Sequence, residues 1–461
     1  MTEDFLIKFS GKPMWKIILI LAWPIVTEQL LQTAVNYIDT AMVGRIGIDA
    51  SAAVGTTVAV TWMFNGLMNA LGVGYSVLMA HQLGAGHREK ARDIVRQGQL
   101  AALVGGALLC VVTVCIIAPY LPIWLGVERD IALLSTDYMR ITGAASIFNM
   151  ILIMNSNILR CIGDTKTPML FNLMMNALNV VGNYFLIYPS KELFIAGHRF
   201  VLHRANLGVQ GAAAATALSI VSAGTGLALF FIKENRDIFT QARKGAWRDG
   251  EIMRRALCMG FPVAMERVMI STGNIIMTGI VAGLGKLSTA ANQFACAAES
   301  VCVLPAYGFS LAGMTLIAQF LSAGEKEKAF CAGRLCIRIC TATTLSASVG
   351  MFLLAGPLIQ LFTPDAGAAA LGAHMLRIEA FAEPFLGIAI ATGGLLRGAQ
   401  DTKKPFYISL IGTWLVRLPS AFVLVRICSP RLSGIWIAML IDWTVRAAIS
   451  MRQFYRAFRV C

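Results

Sequence analysis

Apolar runs of about 20 residues, the length a helix needs to cross hydrocarbon, follow one another along this 461-residue chain with short polar breaks between them. The breaks predict helices over 15–41, 51–81, 95–120, 132–159, 168–189 and 208–232, then over 253–283, 289–320, 334–362, 370–396, 405–426 and 433–454. The longest charged interruption, KENRDIFTQARKGAWRDGEI at 233–252, divides these twelve predicted spans into six and six. An N-terminal bundle over 1–232, a linker over 233–252 and a C-terminal bundle over 253–461 are therefore expected. The other long connection, 188–208, falls by alternation on the opposite face from that linker.

The two halves are copies. PIVTEQLLQTAVNYIDTAMVGRIG from Pro24 returns 238 residues later as PVAMERVMISTGNIIMTGIVAGLG from Pro262, with Pro24/Pro262, Glu28/Glu266, Thr40/Thr278 and Gly47/Gly285 coinciding. QLGAGHREKA at 82–91 returns as FLSAGEKEKA at 320–329, and LRCIGDTKTP at 159–168 as LRGAQDTKKP at 396–405. An even number of spans per copy brings both halves into the membrane from the same side, so they are related by an axis along the membrane normal. The fold class that follows is an all-α polytopic membrane protein of two pseudo-symmetric six-helix bundles with a cleft between them.

Composition agrees, at 57% hydrophobic and 14% charged residues and a mean hydropathy of +0.68, well outside soluble averages. The first sixteen residues lack the basic-then-apolar order and cleavage site of a signal peptide, so the first run is read as a retained span. A net charge of +14 does not indicate nucleic acid, because the basic residues collect in loops: Arg88, Lys90, Arg92 and Arg96; Lys233, Arg236, Arg243, Lys244 and Arg248; Lys326 and Lys328; Lys403 and Lys404. That bias makes these loops, and with them both termini, cytoplasmic in an inner-membrane protein. The eleven cysteines include no CxxC pair and read as small buried hydrophobes. Gly285-Lys286-Leu287 is not a phosphate-binding loop, since Ile280 stands where its first glycine belongs. No metal spacing or nucleophile motif suggests an enzyme.

The chemistry lies in acids within the spans, where a charge costs roughly 2.5–3.5 kcal/mol at mid-helix on insertion scales and marks a pathway or coupling site. Asp39 is the asymmetric one, because its counterpart in the repeat is Met277. Asn36 shares its helix face and Thr40 is adjacent, so a proton, or Na+ held by oxygen ligands, suits this position. Glu28 and Glu266 recur in both halves, one turn after the prolines that are the candidate helix hinges, Pro24 and Pro262. Each is open to a structural reading, capping backbone or pairing with an arginine such as Arg267 or Arg417, and to a functional one. Glu299 and Glu383, with Glu379 nearby, sit on neighbouring predicted helices from which they and Glu266 are candidates for a C-half acidic site. Asp164 and Asp401, each in a turn after an arginine, read as Arg–Asp pairs and helix caps. Asp442 with Arg446, and Arg417, read as an ion pair or as lipid-facing anchors.

Taken in order and spacing, WPIVTEQLLQTAVNYIDTAMVGRIG, QLGAGHREKAR, LRCIGDTKTPMLFNLMMNALN, GVQGAAAATALS, GFPVAMER, PAYGFSLAG, LLRGAQDTKKP and DWTVRA resemble the multidrug and toxic compound extrusion (MATE) transporters over essentially the whole chain. The resemblance implies two bundles in a V and a cation-coupled antiporter. Such a protein uses H+ or Na+ as coupling ion and no cofactor, and exports amphipathic, often cationic compounds by alternating access. It implies a cation-coupling role for Asp39, with Asn179 and Asn183 as partners on the fifth span. Bacterial relatives often carry Asp where this chain has Asn183, which leaves Asp39 the one full negative charge in that cluster. The acid found in one branch eight residues after the seventh-span proline is Ile270 here. Expected partners are the bilayer and a small amphipathic substrate, with no nucleic acid, and a monomer is expected. A flippase for lipid-linked pyrophosphates would need basic residues inside the spans, and few are present. A channel or membrane-embedded enzyme would need a filter, nucleophile or metal set.

Overall fold

The computed structural model describes residues 11–124, 126–195, 198–202, 204–234, 249–363, 365–426 and 432–458. The apolar runs form helices α1 (Met14–Gly44), α2 (Ile48–Gly84) and α3 (Arg88–Trp124), then α4 (Arg129–Ala144), α5 (Ser146–Cys161), α6 (Lys166–Leu186) and α7 (Gly208–Glu234). The second half comprises α8 (Gly250–Ala282), α9 (Lys286–Ser322), α10 (Lys326–Leu353), α11 (Ala355–Gln360), α12 (Ala366–Ala380), α13 (Glu383–Gly398), α14 (Lys403–Arg426) and α15 (Leu432–Ala457). Asp249 caps α8, its Oδ1 accepting from the backbone of Glu251 at 2.9 Å. Most of the linker expected at 233–252, residues 235–248, lies outside the described residues.

Among the described residues eight helices are long and apolar enough to cross a membrane alone, and α4 with α5 and α12 with α13 form two further, bent spans. The remaining two of the twelve spans are α6 and α8, whose polar residues hold them below that apolarity. Two predicted helices, 132–159 and 370–396, are therefore broken, by 48° and 53°. The second break has a plain cause. Pro384 lacks an N–H and its ring excludes a helical carbonyl at Ala380, so α12 ends there and α13 restarts with the proline in its first turn. The predicted helix 334–362 begins earlier, at Lys326, and breaks at Leu354 ahead of Pro357 for the same reason. In the connection 188–208 the backbone forms a hairpin, β1 (Lys191–Ile195) antiparallel to β2 (His198–Leu202), which the apolar pattern did not predict.

The first helix of each half packs across the molecule. Ile17, Ile18, Leu21 and Ala22 of α1 belong to a core with Phe309, Leu316 and Phe320 of α9 and Leu395 of α13. Ala256, Val263 and Ala264 of α8 belong to a core with Met68, Val73 and Leu78 of α2 and Met154 of α5. Beyond the prolines each helix returns to its own half: Val43 packs with Ile187 and Val209, and Met277 and Val281 with Ala291 and Ala421. Close backbone approach makes the crossings possible. A Cβ on Gly260 would stand 2.9 Å from the Ala70 carbonyl, and one on Gly308 would strike Val26 and stand 3.3 Å from the Ala22 carbonyl. Gly260 is the repeat counterpart of Ala22, and Gly308 of Ala70, so this equivalent contact has one glycine in each crossing, on opposite partners; Gly74 of α2, against the Ala256 carbonyl, adds a second to the α8–α2 crossing.

Candidate functional site

Three of the four asparagines of α6 make a buried stripe, Asn176, Asn179 and Asn183, spaced three and four residues apart and so on one face. That face meets α1 and α7. The Asn183 amide donates to Asp39 Oδ1 at 2.6 Å. An amide's orientation follows from its neighbours. Turned to satisfy both of them, Asn179 donates to both Asp39 oxygens, at 2.8 and 2.9 Å, and accepts from the Thr216 hydroxyl of α7 at 3.1 Å. Tyr138 of α4 neighbours Thr216 and lies within electrostatic reach of the Asp39 carboxylate. Asp39 thus sits where four helices meet, with two amides as its donors and the hydroxyl of Thr216 behind one of them. Asn36, one turn back, and Thr40, next to Asp39, lie on the exposed side of α1, where the Thr40 hydroxyl donates to the Asn36 carbonyl at 2.8 Å. Thr216 and Tyr138 were absent from the sequence-derived set. Thr216 had a signal, as the polar position in the alanine run GVQGAAAATALS.

The recurrent glutamates occupy a different kind of place. Arg160 Nη2 of α5 donates to Glu28 at 2.6 and 2.8 Å, and Arg397 Nη2 of α13 donates to Glu266 at 2.6 Å, with Ser409 Oγ donating to the other oxygen at 2.8 Å. Their partners are thus Arg160 and Arg397 rather than Arg267 or Arg417. Arg160 and Arg397 in turn are not paired with Asp164 and Asp401. Those acids cap α6 and α14, accepting from the backbone of Thr167 and Lys404, each at 3.1 Å.

In the C-terminal half, Glu266 is held in this pair while Glu299 of α9, Glu379 of α12 and Glu383 of α13 come within electrostatic reach of one another. Glu379 and Glu383 are both 0% exposed, and none of their four carboxylate oxygens has a hydrogen-bond donor among the described residues. Beside them Asp442 accepts from Arg417 Nε at 2.7 Å and from Arg446 Nε and Nη2 at 2.6 and 2.8 Å, and the Trp443 ring lies against both guanidiniums. A π-helical stretch in α14, Ile411–Arg417, aims Thr413 and Arg417 into this centre. Asp442 with its arginines is therefore a buried network, not a set of lipid-facing anchors.

The carbonyls next to the two paired arginines are claimed by the opposite half. Gln319 Nε2 of α9 donates to the Cys161 carbonyl at 2.9 Å, and His81 Nε2 of α2 meets the Gly398 carbonyl at 2.9 Å. His81 and Gln319 are repeat counterparts, as are Cys161 and Gly398. A symmetric pair of hydrogen bonds thus joins the halves at the end that carries the basic loops. Toward the other end Tyr37 of α1 reaches across, its hydroxyl donating to the Ala297 carbonyl of α9 at 3.0 Å.

A sequence profile of the MatE family matches residues 24–185 and again 262–423. The chain belongs to the MatE family. The doubled match falls on the two copies read from the sequence, and the chain is accordingly an integral membrane secondary transporter rather than an enzyme. It is 29% identical to the probable multidrug resistance protein NorM of Thermotoga maritima over 98% of this chain and 94% of that one. It is 23% identical to the uncharacterized transporter YisQ of Bacillus subtilis over 94% and 92%. A MATE crystal structure in complex with MaL6 superposes with a TM-score of 0.89 at 22% identity, covering 99% of each chain. An outward-facing multidrug resistance MATE transporter of the MOP superfamily superposes at 0.88 and 21%, covering 100% of each. These likenesses give the MatE chain the V-shaped fold of two six-helix bundles.

Proposed function

We propose that this MatE protein is an antiporter that exchanges inward movement of H+ or Na+ for outward movement of amphipathic, cationic compounds across the cytoplasmic membrane. The observation that carries the reading is Asp39, an intramembrane carboxylate whose donors are neutral amides. A carboxylate neutralised by an arginine is a structural pair, as at Glu28. One ringed by amides keeps its charge available to a monovalent cation. The multidrug name of the Thermotoga relative supports the substrate class.

In this reading the protein works as a monomer with both termini cytoplasmic, and bundles 1–232 and 253–461 rock about the linker 233–252. A cation at Asp39 cancels the charge that Asn179 and Asn183 hold, and Asn36 and Thr40 are its approach from the exposed side of α1. α1 then shifts beyond Pro24, where the missing hydrogen bond makes bending cheap, and Pro262 is the matching hinge of α8. The membrane potential contributes about 2.3 kcal/mol per charge per 100 mV to the inward cation step. Glu299, Glu379 and Glu383 form the acidic site of the C-terminal half. Buried carboxylates without donors need a proton or a cation, and a cationic substrate supplies one. Glu28 and Glu266 hold the frame.

Proteoliposomes loaded with a cationic dye and given separate pH and Na+ gradients test the reading and name the ion. Export driven by one gradient and lost in Asp39→Asn, with the variant eluting as folded protein, is the expected result. Wild-type uphill export by Asp39→Asn would remove Asp39 from coupling.

A further inference from the structure

The N-terminal half contains a cavity of about 670 Å3 on a face that the transport reading does not use. It opens between the last turns of α1 and α6, at the end away from the basic loops. Its wall is apolar and aromatic: Met42, Val181, Tyr184 and Phe185 line it, the last three at 53, 41 and 40% exposure. Its rim is cationic. Arg45, just past the end of α1, is exposed and makes no ion pair among the described residues, and Arg204 lies over the Tyr184 ring at 4.0 Å and donates to its hydroxyl. Arg204 Nε is shielded from solvent yet has no acceptor among the described residues. No carboxylate among the described residues lines the cavity. Two guanidiniums with no described acid between them, above an exposed apolar wall inside a membrane span, match one common molecule of that environment.

We propose that this cavity binds an anionic phospholipid of the leaflet opposite the basic loops. Its phosphate is held by Arg45 and Arg204, and its acyl chain lies along Val181 and Phe185. Tyr184 and Tyr188, which also lines the cavity, stand at headgroup depth, where amphipathic rings are favoured. Position gives the site a consequence. Met42 follows Asp39 by three residues on α1, and Tyr184 follows Asn183 on α6, so the lipid braces the same two helices whose neighbouring faces form the Asp39 cluster.

Native mass spectrometry of the full chain, delipidated in detergent and offered phosphatidylglycerol or phosphatidylcholine of equal chain length, reads this directly. Phosphatidylglycerol should be retained about tenfold better. Arg45→Gln with Arg204→Gln should bring the two lipids level, and Val181→Trp, which fills the wall at an exposed position, should lower phosphatidylglycerol retention without altering the folded elution profile. Equal retention of both lipids by the unaltered protein, or an undiminished preference in the double variant, would overturn the site. Displacement of phosphatidylglycerol by millimolar inorganic phosphate would reassign it to free phosphate. None of these outcomes bears on coupling at Asp39, which the dye assay reads separately.

Discussion

At the scale of single residues, the acids divide by the neighbour they have been given. Glu28 faces a guanidinium, Asp39 faces amides, and Glu379 and Glu383 face no donor among the described residues. Removing one partner of a buried ion pair leaves the other charge stranded, at a cost of about 3–5 kcal/mol. Glu28→Ala should therefore lower the unfolding temperature of the detergent-solubilised protein markedly, while whatever activity survives keeps the wild-type ion preference. A changed ion preference with unchanged stability would move Glu28 into the coupling machinery. Asp39→Asn should show the reverse: lost coupling with little loss of stability, because the new amide's oxygen still accepts from Asn183 and its NH2 donates to the Asn179 oxygen once that amide turns over to donate to Thr216. The sequence disclosed Asp39 because burial makes a lone intramembrane acid conspicuous and because its repeat position holds Met277. It did not disclose which arginine meets Glu28, since the side of a helix that faces a neighbour depends on packing. A usable sign was present all the same, for Arg160 and Arg397 recur at nearly the spacing of Glu28 and Glu266. The grouping of Glu379 with Glu299 and Glu383, with Glu266 held elsewhere, depends on the break before Pro384, which redirects α13 relative to α12.

At the scale of elements, hydropathy placed all twelve spans, while it missed the breaks at Ala145 and Phe381 and the short hairpin after α6. A scale that averages apolarity does not register a proline's missing donor or a bend between two apolar segments. The crossings of α1 with α9 and of α8 with α2 were equally invisible, because a duplicated sequence does not say whether its first helix stays at home. They rest on close backbone contact, and Gly308 is the sharper test. Gly308→Val would drive a branched side chain into Val26 and toward the Ala22 carbonyl, and overpacking of this kind costs about 1–3 kcal/mol. The expected outcome is a lower unfolding temperature together with slowed dye export. Wild-type values for both would mean that α1 and α9 are not in tight contact during turnover.

Across the whole molecule, the halves are joined at the basic-loop end by two equivalent hydrogen bonds, His81 to Gly398 and Gln319 to Cys161. Each is worth about 0.5–1.5 kcal/mol net, a factor of roughly two to ten in the balance between a form closed at this end and one open there. His81→Ala or Gln319→Ala alone should shift that balance modestly, and the two together by the product. Distances between spin labels at the ends of α2 and α9 would report it. An unchanged distance distribution in the double variant would show that other contacts close this end.

The exchange of first helices also bears on how the chain is made. α1 leaves the ribosome with its α9 surface still unsynthesised, and must wait in lipid until some 260 residues more have been added. α8 emerges when its acceptor, α2, is already in place. The two copies differ in polarity: α1 has the apolar length of a lone span, whereas α8, which carries Arg254, Arg255, Glu266 and Arg267, is more polar. A later helix can carry these charges because an earlier one is there to receive it.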